Sequence, residues 1–198
     1  MITRTGDSVS QDLSQRLASA VKAIRVGADA EAVSRSLTWQ EFEELSARVL
    51  EENGFRVRRR FRFTAEGRRW EIDLLAARKP RIILAECKHW TRGMGNSVTR
   101  GIIEGHLEKA KVLADHVSEV AVKAGINGWG AATLIPMALT LSATPLDVYL
   151  RVPSVSILSL PSFLGDYDGY LERLVVLKVN IPHVEEKPKK KTRKRTGD

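Results

Sequence analysis

The spacing of apolar residues changes at Gly54 from the period of a helix to the period of a strand. Before this glycine, residues 38–41 read Thr-Trp-Gln-Glu, a capping-box sequence, and apolar side chains then recur every three or four positions. After it, apolar and basic side chains largely alternate over residues 55–63, which is the pattern of a strand. A helix that runs directly into a strand excludes an all-helical fold.

Two further strands are predicted after short connections. They cover residues 68–77 and 81–88 and are joined by a turn at Lys79-Pro80, so the three strands form an antiparallel meander. In the first strand the odd positions are largely apolar and the even positions are arginines, which predicts one largely apolar face and one fully cationic face. The four arginines are Arg56, Arg58, Arg60 and Arg62.

The second half of the chain predicts a crossover. A long helix begins at Asn96 or Ser97 and runs to about Lys123, and residues 132–141 form a buried strand. A buried strand after a long helix indicates a right-handed crossover. The expected fold class is α/β, with a mixed central sheet of meander plus crossover strand flanked by helices. We expect an N-terminal helical extension over residues 1–37, a domain over 38–182 and a disordered basic tail over 183–198.

The charge points to a polyanionic partner. The 198 residues carry a net charge of +8, of which +4 lies in residues 185–198 and the rest in the body. A basic body with a basic tail indicates nucleic acid first, with Lys190 and Lys191 of the tail as candidate contacts. The alternative is a tail that serves only solubility.

Other features restrict the class of protein. The single cysteine, Cys87, excludes an intrachain disulfide framework and a cysteine-rich zinc site. Residues 124–146 are uncharged, but their glycines and prolines predict a loop and then a buried strand rather than a membrane span. The N-terminal residues lack the apolar run of a signal peptide, so we expect a cytoplasmic protein with no membrane contact.

Acidic and basic side chains gather on the second and third predicted strands. Glu86 and Lys88 are two residues apart and share a face, and pairing of the two strands brings Asp73 near Glu86. Two carboxylates with open positions suit Mg²⁺, which can activate water and neutralise charge on a phosphate, while Lys88 can steer that water. Cross-strand salt bridges on a solvent face are the alternative. The apolar residues that flank these positions argue against this alternative, because charged side chains next to apolar runs would be partly buried.

These residues also carry a family resemblance. The helix–meander–helix–strand order with Asp73, a gap of twelve residues, and Glu86-Cys87-Lys88 resembles the PD-(D/E)xK nuclease superfamily. Over residues 38–141 it is most similar to Mrr-type restriction endonucleases and archaeal Holliday-junction resolvases. The resemblance implies a restriction-endonuclease-like core. It also implies that Glu43, eleven residues before Gly54, assists metal binding, and that the backbone carbonyl of Cys87 completes the metal shell.

The function implied is a Mg²⁺- or Mn²⁺-dependent DNA endonuclease that hydrolyses phosphodiester bonds. Asp73, Glu86 and Lys88 would be catalytic, and the metal would be held by Asp73, Glu86, Cys87 and Glu43. DNA is the expected partner, and the protein could form a homodimer. Two alternatives stay open: a non-catalytic DNA-binding or assembly module on the same fold, and a nuclease for branched DNA or RNA.

The arginines of the first strand have two interpretations. They could track phosphates, because a guanidinium binds phosphate oxygens in a bidentate manner. They could equally form a solvated edge-strand face that prevents aggregation.

Overall fold

The computed structural model describes residues 36–89, 96–141 and 148–185, together with isolated positions between residues 15 and 33. The predicted N-terminal extension therefore lies largely outside the described residues, and residues 186–198 of the tail lie wholly outside them. The described elements, in chain order, are α1 (Trp39–Glu52), β1 (Arg56–Ala65), β2 (Arg68–Arg78), β3 (Arg81–Lys88), α2 (Asn96–Asp115), α3 (Val117–Ala124), β4 (Gly130–Thr140), β5 (Val148–Tyr149), β6 (Val152–Ser156), α4 (Leu160–Tyr170) and β7 (Leu177–Ile181).

The strands form one mixed sheet of seven, in the order β1-β2-β3-β4-β6-β5, with β7 pairing β4 beside β6. The meander β1-β2-β3 is antiparallel, and β4 lies parallel to β3 after the helical crossover. The α/β class predicted from the sequence, with its meander and crossover strand, is confirmed. β7, antiparallel to the first half of β4, was not predicted.

Helices cover both faces of the sheet. On one face, α1 and α4 pack over a first core, whose largest fully buried side chains include Phe42 and Leu50. On the other face, α2 and α3 pack over a second core that includes Leu113 and Val120. Side chains of β2, β3 and β4 point alternately into the two cores, so these central strands are apolar on both sides. Within the described ranges, no helix has the length and apolarity needed to cross a membrane.

The start of α1 is capped as its sequence predicts. The Thr38 N–H donates to Glu41 Oε2 at 2.6 Å, and the Glu41 N–H donates to Thr38 Oγ1 at 3.3 Å. Gly54 then adopts a left-handed φ of 81°, which lets the chain leave the helix and enter β1.

The long helix predicted to run to about Lys123 is wrong in one respect, because it divides at His116. α2 ends at Asp115, His116 has a φ of −109°, and α3 begins at Val117. Apolar side chains on both helices pack into the same second core. The apolar spacing therefore continues across the break and gives no sign of it.

The predicted cationic face of β1 is also wrong, because the alternation of side chains shifts at Arg60. Phe55 and Val57 pack with the first core, whereas Phe61 and Phe63 belong to the second, although all four positions are odd. Arg60 lies between the two pairs with a left-handed φ of 49°. The same shift occurs on β2 around Asp73.

The shift separates the four arginines. Arg56 and Arg58 alternate with residues of the first core and so point toward the α2 and α3 side. Arg60 and Arg62 lie on the α1 side, where Arg60 pairs with Glu43. The sequence pattern missed this because the residue types continue to alternate through Arg60.

Candidate active site

The candidate site begins where β2 and β3 separate. Their backbone pairing reaches Leu74 and Ala85, and in this register Asp73 faces Glu86. Instead of continuing the backbone ladder, the Cys87 N–H donates to Asp73 Oδ2 at 2.8 Å. β3 itself continues, paired with β4 up to Lys88. The Asp73 carboxylate therefore fills the gap that opens between the two strands.

Asp73 is a partly buried carboxyl group beside another one. Burial raises its pKa, and the neighbouring Glu86 charge raises it further. The hydrogen bond from Cys87 and the ammonium groups of Lys88 and Lys109 act in the opposite direction without cancelling the increase. A positive charge placed beside such a carboxyl group would stabilise its ionised form.

Glu86 is 6% exposed and lies among two lysine side chains and a histidine ring. Lys88 Nζ lies 2.8 Å from Oε1, Lys109 Nζ lies 2.8 Å from Oε2, and His106 Nδ1 lies 3.4 Å from Oε2. Burial alone would raise the pKa of Glu86, but the His106 ring and the two ammonium groups hold it well below the usual range. Glu86 is therefore an ionised carboxylate at neutral pH.

Two of these partners come from α2 and were not predicted to contact Glu86. His106 is buried, and its Nε2 lies 2.8 Å from the Leu84 carbonyl oxygen, which fixes the ring. Lys109 follows three residues later, on the same face of the helix. The spacing of the two residues was the only available signal. It says nothing about which strand residue the helix covers.

Cys87 contributes through its backbone. Its thiol is 1% exposed in the first core, and burial together with the Asp73, Glu43 and Glu86 charges raises its pKa well above the usual value. A neutral thiol is a poor metal ligand. The N–H and C=O of one strand residue point toward the same neighbouring strand. Because the N–H of Cys87 points to Asp73, its carbonyl faces the same gap.

Glu43 approaches from α1. It is buried, with Oε1 at 3.4 Å from Arg60 Nε, and no hydrogen bond to its Oε2 is found in the described part of the chain. Burial raises the pKa of Glu43, Arg60 opposes the increase, and the charge of Asp73 adds to it. Asp73 thus interacts electrostatically with each of the other three predicted residues, Glu43, Glu86 and Lys88.

The oxygen donors of the site fit a divalent ion that keeps several waters. Among the described residues, no three side chains of His, Cys, Asp or Glu converge as a metal cluster. The donors are instead the facing carboxylates of Asp73 and Glu86, the Cys87 carbonyl in the same gap, and the unpartnered Oε2 of Glu43. Mg²⁺ is commonly bound by one or two carboxylates with water completing its shell, so this set is sufficient.

The residues predicted to contact nucleic acid differ in their surroundings. Arg56 donates to the carbonyl of Gly125, and Arg62 pairs with Glu71 across the strands. Arg58 is exposed, without a hydrogen bond or ion pair to any described residue. Lys190 and Lys191 lie outside the described residues.

Residues 34–114 match the Mrr_cat family model, described as a restriction endonuclease. This segment is similar to that family. The Mrr_cat segment runs from just before α1 to the end of α2, so it contains Glu43, Asp73, Glu86, Lys88 and Lys109. Over these residues, the match confirms the resemblance to the PD-(D/E)xK nuclease superfamily.

Two solved structures are similar to the chain at low identity. One is a protein of unknown function, AF1548, with 17% identity, a TM-score of 0.43, and coverage of 65% of this chain and 66% of that one. The other is the small subunit (R.BspD6I2) of the heterodimeric restriction endonuclease R.BspD6I, with 16% identity, a TM-score of 0.33, and coverage of 80% and 78%. No curated protein matches the sequence significantly.

Proposed function

We propose that this protein is a metal-dependent endonuclease that hydrolyses phosphodiester bonds in DNA. The observation that carries the proposal is the Asp73 carboxylate facing Glu86 where β2 and β3 separate, with the Lys88 ammonium 2.8 Å from Glu86. Nuclease chemistry needs hard oxygen ligands and a cation beside the phosphate, and this point in the fold offers both.

Asp73, Glu86 and the Cys87 carbonyl would hold Mg²⁺ or Mn²⁺, with Glu43 assisting. Nucleases of this superfamily generally use divalent metals. When bound, such an ion polarises the phosphate and lowers the pKa of water. Asp73 supports the assignment because its raised pKa marks an anionic site that lacks enough positive charge.

Lys88 and Lys109 would act on opposite sides of Glu86. Each ammonium group occupies one carboxylate oxygen, and the two side chains are 30% and 28% exposed. Lys88 is the last residue of β3 and is partly exposed, so it can orient the attacking water or donate to a phosphate oxygen. Lys109 holds the second oxygen and so fixes the Glu86 carboxylate in one orientation.

DNA as the partner, a homodimer and a cytoplasmic location belong to the same proposal. A homodimer would present two sites to the two strands of a duplex. The basic tail with Lys190 and Lys191 would add non-specific attraction to phosphates. The four arginines of β1 are not proposed as one stripe, since they lie on two sides of the sheet.

The experiment is a cleavage assay on a panel of nucleic acids. Purified protein is incubated with supercoiled plasmid, linear duplex, single-stranded, methylated and branched DNA, and RNA, each with Mg²⁺, Mn²⁺ or EDTA. We expect cleavage of at least one DNA with Mg²⁺ or Mn²⁺ and none in EDTA. Binding without cleavage of any substrate would support the non-catalytic alternative and contradict the proposal.

A further inference from the structure

Arg60 has an unusual backbone conformation for a residue inside a strand. Its φ is 49°, in the left-handed region that residues other than glycine seldom adopt, and β1 continues on both sides of it. Such a conformation persists only when the surroundings hold it, and it is concentrated at functional sites. We therefore expect the Arg60 side chain to have a function that depends on this conformation.

The left-handed turn moves the side chain of Arg60 to the other side of the sheet. Arg59 already faces α1, where it pairs with Glu44 and Glu51 at 2.9 Å each. Regular alternation would place Arg60 on the α2 and α3 side, as it does for Arg58. The turn instead puts two consecutive arginines on the α1 side.

The guanidinium of Arg60 is held in place, but only some of its hydrogen-bond donors are used by the described residues. Its Nε lies 3.4 Å from Glu43 Oε1, and its Cζ lies 5.1 Å from the centroid of the Trp39 ring. No hydrogen bond to its terminal nitrogens is found within the described part of the chain, and the side chain is 46% exposed. Arg59 differs, because all its nitrogens are used by Glu44 and Glu51.

Arg60 also lies one strand away from the candidate metal ligands. The pairs Arg59–Leu74 and Phe61–Ile72 flank it, so it faces Asp73 across β1 and β2. Neighbouring strands are about 4.8 Å apart, which is within the reach of an arginine side chain. A phosphate group bound between the two residues would be next to the cleavage site.

We propose that Arg60 is a preorganised phosphate-binding residue for the DNA strand at the candidate active site. The inference rests on the proposed function. The sequence pattern made all four arginines of β1 candidate phosphate contacts, and the proposal gives this role to Arg60 alone. Glu43 and Trp39 immobilise the guanidinium, and its two terminal nitrogens, which bind no described residue, form the fork that binds phosphate oxygens. Immobilisation before binding reduces the entropy lost when DNA binds.

The test compares Arg60→Gly with Arg58→Gly as a matched control. Strain is tested separately, with Arg60→Gly and Arg60→Ala, because both lose the contacts with Glu43 and Trp39 but only glycine adopts a φ of 49° without strain. Arg60→Gly should therefore have the higher Tm, whereas at position 58, which has no left-handed φ, alanine should have the higher Tm through the ordinary penalty for glycine in a strand. A Tm for Arg60→Gly below that of Arg60→Ala would overturn the idea that the conformation is strained.

Affinity for a fluorescent duplex is then measured in EDTA at several salt concentrations, which needs no catalysis. We expect Arg60→Gly to weaken binding about tenfold and to reduce the salt slope by about one, as the loss of one phosphate contact requires. Arg58→Gly should change binding less. Arg60→Lys should recover only part of the loss, since lysine keeps the charge without the fork.

Equal losses of affinity for the two glycine variants, or full recovery by Arg60→Lys, would overturn the assignment. The outcome is independent of the metal site. If Asp73→Asn abolishes cleavage while Arg60→Gly binds duplex as the wild type does, the nuclease proposal stands and the role of Arg60 is refuted. If Asp73→Asn cleaves normally, the nuclease site is refuted whatever Arg60 does.

Discussion

Asp73 and Glu86 face each other, but their surroundings affect them in opposite ways. The pKa of Asp73 is raised by burial and by Glu86, whereas that of Glu86 is held down by His106, Lys109 and Lys88 despite burial. A carboxyl group whose pKa is raised by folding stabilises the folded state at pH values below its ordinary pKa, which is 3.8 for Asp. This stabilisation is lost as the pH rises through the pKa of the folded state. At neutral pH, ionised Asp73 therefore destabilises the fold.

Asp73→Asn should consequently raise Tm at pH 7, because it removes a destabilising charge while its amide oxygen can still accept the Cys87 N–H. The gain should shrink as the pH falls, because protonation of wild-type Asp73 removes the same charge. Thermal unfolding at several pH values measures it. A lower Tm for the variant at pH 7 would show that Asp73 is a net stabilising residue.

Glu86→Gln should have the opposite effect. The carboxylate accepts from Lys88 and Lys109, and its lowered pKa means that it stabilises above the ordinary Glu value of 4.5 and loses this contribution as the pH falls. We expect a loss of roughly 1.5–3 kcal/mol at pH 7, the range for hydrogen bonds to charged groups. Urea unfolding of both variants provides the comparison, and equal stability of Glu86→Gln and wild type would refute it.

At the scale of elements, α1 is fixed at both ends by its own sequence and carries Glu43 toward the sheet. Thr38→Ala removes the side-chain acceptor of the capping box and should cost about 1 kcal/mol. Ser159→Ala is the control, because Ser159 is the N-cap of α4 but its hydroxyl bonds the Ser156 hydroxyl and no N–H of the helix. Chemical denaturation distinguishes them, and an equal cost at the two caps would mean that the capping box contributes nothing specific.

The elements that were predictable carry local signals. The cap at Thr38, the left-handed Gly54 and the short turns of the meander all act within a few residues, so α1 to β3 could be placed from the sequence. The shift at Arg60 and the break at His116 leave the apolar pattern unchanged and could not. The contacts of His106 and Lys109 with Glu86 depend on how α2 packs over the sheet.

At the scale of the whole molecule, the candidate active site and the root of the basic tail lie at opposite ends of β3. Val184 and Asn127 exchange two hydrogen bonds of 2.8 Å near the start of β4. Thr133, near the start of β4, pairs with Arg81 at the beginning of β3, whereas Lys88 is at the other end of β3. Arg81 and Lys88 are about 23 Å apart along the strand.

Deleting residues 185–198 should weaken DNA binding without unfolding the domain or lowering cleavage at saturating DNA. The tail carries a net charge of +4, so its removal should flatten the dependence of affinity on salt. Binding isotherms at several salt concentrations for the full chain and the truncated one give the two slopes. Identical slopes would show that the tail does not contact DNA.

If Asp73 and Glu86 hold the ion needed for cleavage, loss of either carboxylate should stop the reaction. The most direct measurement is the Mg²⁺-dependent nicking rate of purified Asp73→Asn beside wild type, with duplex affinity and Tm measured on the same samples. We expect the rate to fall by at least about a hundredfold, the effect of losing roughly 3 kcal/mol of transition-state stabilisation, while affinity is retained and Tm does not fall. An unchanged nicking rate in a folded, DNA-binding variant would contradict the claim.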